Sequence, residues 1–420
     1  MKSMLNLTCF MILIFAISNS VWATGENDPR AVGMGGAYTA LARDLDAPAW
    51  NPANLGFSDG KGFTINFFNV GMRLKNNSFS IADYNRYNGK FLTEADKEEI
   101  INSIPVNGLG LDLAAQASVL NFSIGNFAVT YKGIGITSFS LNRDPFRLLL
   151  LGNAVVHDVS LSDTRGEAYG IGDFALSYGQ AVRRWSGGEL SAGGTVHYLS
   201  GLAFGGITSA YGGVITTDTG FVGSGQMIYR TSRGGGGYSS DLGLAARFSD
   251  NWFISAVWQN AYSKIDWNKD NKEHLMWFNM KPLTVEAMLD GAQSDSLVTS
   301  DDTSYSVGSF STHLTRSIRL GLAKKWRRVA CSFDWEQNLK NGPGVSIKPR
   351  FASGVEYAPW KLLPLRAGLA LGGNQGSSYS VGFGFRIGAY NFDLGLANSG
   401  SPSPAHSKGA TMAIGMSLRF

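Results

Sequence analysis

Thr411-Met412-Ala413-Ile414-Gly415-Met416-Ser417-Leu418-Arg419-Phe420 ends the chain. Its even-numbered positions are all large and apolar, and its odd-numbered positions are small or charged. Successive side chains point to opposite faces of a strand, so this run has one apolar face and one face of small groups. The pattern recurs in Tyr379, Val381, Phe383, Phe385 and Ile387, which alternate with Ser380, Gly382, Gly384, Arg386 and Gly388. It recurs again at Leu365 to Leu371, Phe351 to Tyr357, Val329 to Trp335 and Ile318 to Leu322. The second face of a soluble sheet is usually rich in Lys, Glu and Thr. Here it is mostly Gly, Ala and Ser with sparse charge, which suits the inner wall of an occupied lumen.

Composition agrees with an all-β membrane protein. Of 420 residues, 53 are glycine, and only 16% are charged; soluble domains average about 7% glycine and about 25% charged residues. The mean hydropathy is near zero, and beyond the N-terminus no apolar run reaches the roughly 18 residues of a membrane helix. A transmembrane barrel reads this way because only alternate residues meet lipid. A net charge of +4 without basic runs and stacking aromatics points away from nucleic acid. Residues 1–23 read as a signal peptide, with Lys2, an apolar stretch from Phe10 to Ile17 and the small-residue site Val21-Trp22-Ala23. Cys9 falls inside that segment, which leaves Cys331 alone and no internal disulfide in the exported chain.

Loop lengths set the topology. Strand patterns lie near 62–73, 115–124, 126–138, 168–180, 189–203, 238–249, 252–264, 317–326, 328–337, 349–358, 364–372, 378–388, 390–397 and 410–420, fourteen in all. With both ends of the barrel placed in the periplasm, the connections at 125, 181–188, 250, 327, 359–363 and 389 are periplasmic and short. Those at 74–114, 139–167, 204–237 and 265–316 are extracellular and long, the asymmetry that outer-membrane barrels show. The apolar pair in 204–237 reads as a hairpin outside the membrane; two further spanning strands there would give sixteen with the same parity. Phe127, Trp185, Trp252, Trp326, Trp360 and Tyr390 stand at the six short turns, as an interfacial aromatic girdle requires. Thr93 to Ile101 reads as a capped surface helix stopped by Pro105. The acids of 265–316 are scattered rather than convergent, so no metal site is expected there.

One stretch breaks the pattern: Arg30 to Phe57, R-A-V-G-M-G-G-A-Y-T-A-L-A-R-D-L-D-A-P-A-W-N-P-A-N-L-G-F. It reads as a compact insert with a short helix over Ala37–Ala42 and bends at Pro48 and Pro52. A dinucleotide loop is excluded, because no strand precedes Gly33 and Tyr38 stands where the third glycine belongs. The motifs G-M-G-G-A-Y-T-A-L-A and W-N-P-A-N-L-G resemble the N-terminal hatch of the FadL-type outer-membrane transporters, which include PorV-like relatives. The resemblance implies a transmembrane antiparallel β-barrel of about fourteen strands with its N-terminus in the lumen. Residues 24–61 would then be the hatch and 62–420 the barrel. Gly33, Gly35, Gly36, Asn51, Pro52 and Ala53 would form the hatch's hinge region. It also implies passive uptake of hydrophobic compounds such as long-chain fatty acids, or a PorV-like docking role in protein secretion. Expected partners are outer-membrane lipids, a hydrophobic small molecule and the outer-membrane assembly machinery, which would read the terminal Phe420.

No nucleophile, base and orienting group occur together in a motif, so no enzyme and no cofactor are expected. By alternation His197 faces the lumen and lacks a motif partner. Arg319, Glu356, Arg366 and Arg386 also fall on inward faces, with Asp241, Arg247, Asp334, Glu336, Asp393 and Arg419. Buried charges are costly unless partnered, so these should pair with one another and with the insert.

Overall fold

The computed structural model describes residues 28–59, 62–218, 220–283 and 298–420. The proposed signal peptide, the ends of the proposed hatch and the acids Glu286, Asp290 and Asp295 lie outside the described residues. The strands are β1 (Phe63–Asn76), β2 (Leu109–Ser118), β3 (Phe122–Ile124), β4 (Phe127–Leu141), β5 (Asp158–Ser160), β6 (Arg165–Trp185) and β7 (Gly188–Thr217). They continue as β8 (Gly220–Ser232), β9 (Gly234–Phe248), β10 (Trp252–Lys269), β11 (Lys272–Leu283), β12 (Val298–Ser306), β13 (Phe310–Thr312) and β14 (Ser317–Lys325). The last are β15 (Val329–Asn338), β16 (Arg350–Trp360), β17 (Leu363–Gly372), β18 (Gly376–Ile387), β19 (Tyr390–Ser399) and β20 (Gly409–Arg419).

Antiparallel pairing closes a ring. Strand β1 pairs on one side with β2 and β3 and on the other with β20, from Thr64↔Arg419 to Lys75↔Gly409. Counting β2 and β3 as one interrupted strand, and with β5, β8, β11, β12 and β13 outside the ring, the barrel has 14 strands. Sixteen is ruled out by register, because β7 pairs directly with β9 from Glu189↔Arg247 to Gly201↔Gly235. Beyond that point β7 leaves the wall and pairs with β8. β8 pairs with β11, and β11 with β12, so a second sheet stands above the long-loop end.

Three expectations change. The described residues of 265–316 are largely strand, because the β9–β10 ladder continues past residue 264 to Lys269 and β11 and β12 join the second sheet. The run 115–124 is broken at 119–121, where Leu120 takes φ 55° and Asn66 bonds both to it and to Asn121. Two helices escaped notice: Ile81–Tyr87, capped by Ser80 and Asp83, and Asp144–Leu151. The expected surface helix is present as Glu94–Ser103, closed by reciprocal bonds between Thr93 and Asp96.

The ring wears its apolar side outward. Val381 and Ile387 are 59% and 63% exposed, while their neighbour Ser380 is buried. The six turn aromatics are exposed as a belt at the short-turn end. Lipid contact and interfacial placement account for both.

Candidate functional site

Residues 28–59 lie inside the ring. They bond to wall residues on β7, β9, β10, β15, β16 and β18, strands from around the circumference. Asp28 caps the helix Pro29–Gly33 by accepting from the Arg30 and Ala31 amides at 2.9 and 3.2 Å. Burial, with Asp46 and Asp393 nearby, pushes the Asp28 carboxyl from 3.8 up to about 7 against those donors. The expected helix over Ala37–Ala42 is instead a turn. Its Tyr38 and Thr39 amides donate to Asp334 of β15 at 2.9 and 2.8 Å, anchoring the turn to the wall.

The six proposed hinge residues all lie against the wall. Gly35 and Gly36 adopt φ +67° and +79°, conformations that glycine takes without strain. Gly33 accepts from the Ser380 hydroxyl and Gly35 from Arg350. The Asn51 side chain accepts from the Ala53 amide at 2.9 Å, starting the turn Pro52–Gly56. It also donates to the Leu244 and Ala256 carbonyls at 3.0 and 3.1 Å, tying the insert to β9 and β10. The wall meets the insert with glycine: a Cβ on Gly243 would lie 2.0 Å from Asn51 Oδ1, and one on Gly368 would lie 2.2 Å from the Gly35 amide nitrogen. The glycine-rich inward face therefore accommodates backbone, not solvent.

The inward charges are paired. Glu356 takes a bidentate bond from Arg30 at 2.7 and 2.8 Å and another from Arg366 at 2.7 Å. Arg366 and Arg386 converge on Asp393 at 2.7 and 2.9 Å. Glu356, Arg366 and Arg386 thus belong to one ionic chain that starts on the insert. Arg319 belongs elsewhere, 3.3 Å from Glu336 and stacked over Trp50 of the insert at 4.9 Å. Arg247 pairs with Glu189, and Arg419 with Asp44 of the insert. His197 is not alone as the sequence suggested. Its Nδ1 lies 2.8 Å from Asp173 and its Nε2 3.3 Å from Asp241, and Lys132 reaches Asp173 at 3.2 Å. Long-range strand pairing creates that cluster, so no local motif announces it.

Two regions of lumen result. A cavity of about 290 Å³ between insert and wall is polar, lined by Asn66, Gln116, Lys132, His197, Glu356 and Asp393 among others. Above it, the inward residues of the same strands turn apolar. Ile134, Ile171, Leu199, Ile265 and Trp267 form a fully buried cluster, joined by Tyr169, Phe204, Phe310 and Leu314. The Phe204 ring packs against Trp267, tilted, at 5.3 Å and edge-on against Phe310 at 5.1 Å. A Cβ on Gly201 would lie 2.6 Å from the Trp267 ring, so glycine there lets the indole lie on β7. The sequence reading missed this cluster because Ile265, Trp267 and Phe310 fall in the stretch read as an acidic loop. Phe420 closes the seam at the other end: its amide donates to the Phe63 carbonyl at 2.8 Å, and the two rings stack at 6.1 Å.

No family model matches the sequence, and no curated protein matches it. Among solved structures, the P. putida toluene transporter TodX is similar over 96% of this chain and 99% of its own, with 12% identity and a TM-score of 0.50. A deltaS2S3 mutant of TodX, a monoaromatic hydrocarbon channel, is similar over 93% of this chain and 98% of its own, with 12% identity and a TM-score of 0.51. The closed ring and its outward apolar face agree with that likeness, and the chain has the fold of the FadL-type outer-membrane channels.

Proposed function

We propose that this protein is an outer-membrane channel for passive uptake of hydrophobic compounds, closed at rest by its N-terminal insert acting as a hatch. The carrying observation is the apolar cluster on the inner wall. A water-filled pore is lined by polar groups, whereas here Ile134, Ile171, Leu199, Ile265 and Trp267 occupy one region of the lumen. Below them stand Lys132 and His197. An amphiphile such as a long-chain fatty acid suits that sequence of surfaces once the packed cluster opens, its tail on the cluster and its head group in the polar cavity. TodX, a toluene transporter, adds support from a chain of like fold.

Liposomes carrying the protein test this. Uptake of a labelled fatty acid should exceed that of empty liposomes and fall when Trp267→Glu places a charge in the cluster. Equal uptake by both proteins, with both barrels intact on heat-modifiability gels, would overturn the proposal. A docking role in secretion is the second reading. It is favoured by three large apolar side chains on the outer loops, Phe91, Val106 and Leu149, which are 91%, 88% and 80% exposed.

A further inference from the structure

Among the described residues, the sheet above the barrel ends on an open edge. Strand β12 runs nine residues, all exposed from Thr299 to Ser306. Among the described residues it pairs with β11 alone. A long edge with unpaired N–H and C=O groups is a template for another strand, and proteins normally shorten, cover or charge such edges. This one carries two adjacent acids, Asp301 and Asp302, which point to opposite faces. Neither is in an ion pair among the described residues; the Asp302 amide donates to Asp301.

The register shows what lies behind the edge. On one face Ser300, Asp302 and Ser304 stand opposite Phe278, Met276 and His274. His274 stacks on Tyr229 at 4.5 Å with the rings 3° from parallel. On the other face Asp301 and Thr303 stand opposite Trp277 and Leu275. Each acid is thus an outer rim beside a large apolar side chain, and the flanking serines are too small to cover the row behind them. An added strand can span such a small residue diagonally with an aromatic or long side chain.

Charge narrows the occupant. A second copy pairing along most of β12 brings Asp301 and Asp302 within one residue of the same acids. The chain's own connection over 284–297 carries Glu286, Asp290 and Asp295 and no Lys or Arg. Neither candidate offers basic residues to the two acids of the edge.

We propose that β12 docks an extended segment of another protein outside the cell. The segment joins the sheet as an added strand, bearing two adjacent basic residues opposite Asp301 and Asp302 with large apolar residues on either side. Main-chain bonds supply affinity in this mode, and alternate side chains supply selectivity. The proposal goes beyond the transport reading and stands or falls separately from it.

The test uses the full chain in nanodiscs and a fluorescein-labelled nonapeptide with two central lysines flanked by phenylalanines and alternating threonines. Saturable binding is expected. N-methylation of the backbone amides along one edge of the peptide should weaken it at least tenfold, and along the other edge should leave it unchanged. Asp301→Lys with Asp302→Lys should reverse the preference, so that the variant takes a peptide with glutamates in place of the lysines. Absence of binding overturns the proposal. So does equal binding after N-methylation of either edge, which would mean simple charge adsorption, and so does binding unchanged by the double substitution. The methylation series uses the unaltered protein, so it decides the question even if the variant fails to assemble.

Discussion

Replacing Asn51 with Ala should loosen the insert while leaving the barrel assembled. The Asn51 side chain is fully buried and makes three hydrogen bonds of 2.9, 3.0 and 3.1 Å. Each is worth about 0.5–1.5 kcal/mol net. The two that reach the wall hold the insert by about 1–3 kcal/mol. At about 1.4 kcal/mol per tenfold, the released population should rise by roughly 5- to 140-fold. Hydrogen exchange reads this directly. The Ala53 amide, and those of Tyr38 and Thr39 on Asp334, should exchange faster by a comparable factor, while the β9–β10 ladder stays protected. Fatty-acid uptake or ion leak should rise with it. Unchanged exchange in the insert would refute the reasoning. A barrel that fails to insert, with normal permeability in the molecules that do, would give Asn51 a folding role instead.

Four more expectations follow from the same geometry. Val381→Arg, at the middle of β18 on the lipid face, should cost about 2–4 kcal/mol of barrel stability, read by urea titration in lipid, whereas a lysine at exposed Lys361 replaced by Arg should cost nothing measurable. Glu356→Gln removes the charge shared by Arg30 and Arg366, and unpairing buried charges costs about 3–5 kcal/mol; Arg30→Ala in the same background should add less than it does alone, and simple additivity would show that the three residues do not form one unit. Asp28 holds a proton in the folded insert up to about pH 7 but loses it near 3.8 when released; docking should therefore be strongest below about pH 4 and weaken as pH rises to about 7, with Asp28→Asn abolishing the dependence in the exchange assay. Deleting Phe420 removes the Phe63 contact and the last ladder bond, so assembly should slow and unfolded periplasmic chains accumulate; normal assembly kinetics would remove Phe420 as a closing signal.

The barrel was legible because lipid imposes a period of two on every spanning strand, and runs such as Tyr379 to Ile387 carry it almost without interruption. The count of fourteen came from the alternating runs themselves, and parity, since short turns must alternate with long loops, excluded fifteen but not sixteen. Parity cannot tell a loop from a strand that has left the wall, which is why β10 was ended five residues early and β11 and β12 were read as loop. The helix Asp144–Leu151 was hidden for a related reason: its four leucines in a row suit a buried strand as well as a helix. In the lumen, the inward positions of His197, Glu356 and Arg366 followed from alternation. Their partners Asp173, Arg30 and Asp393 stand on other strands or on the insert, from 24 to 326 residues away, and pairwise contact of that kind leaves no local trace. The turn at Ala37–Ala42 was misread because its residues favour a helix, yet it closes on one helical bond, Ala42 to Tyr38, and is anchored by a carboxylate on β15, almost three hundred residues later.

The insert is also a tethered body, and its two ends are on leashes of different length. Between Phe57 and the first residue of β1, Phe63, there are only five residues. A fully extended chain spans about 3.3–3.6 Å per residue, so the Asn51 end can retreat only about 20 Å from the mouth of the barrel. The Arg30 end is separated from the wall by the whole insert and can swing much farther. Short tethers keep a released group at millimolar effective concentration, so the Asn51 half should rebind quickly after each excursion. Release should therefore run as a peel that starts at the Arg30–Glu356 contact, with reclosure seeded from the Asn51 side.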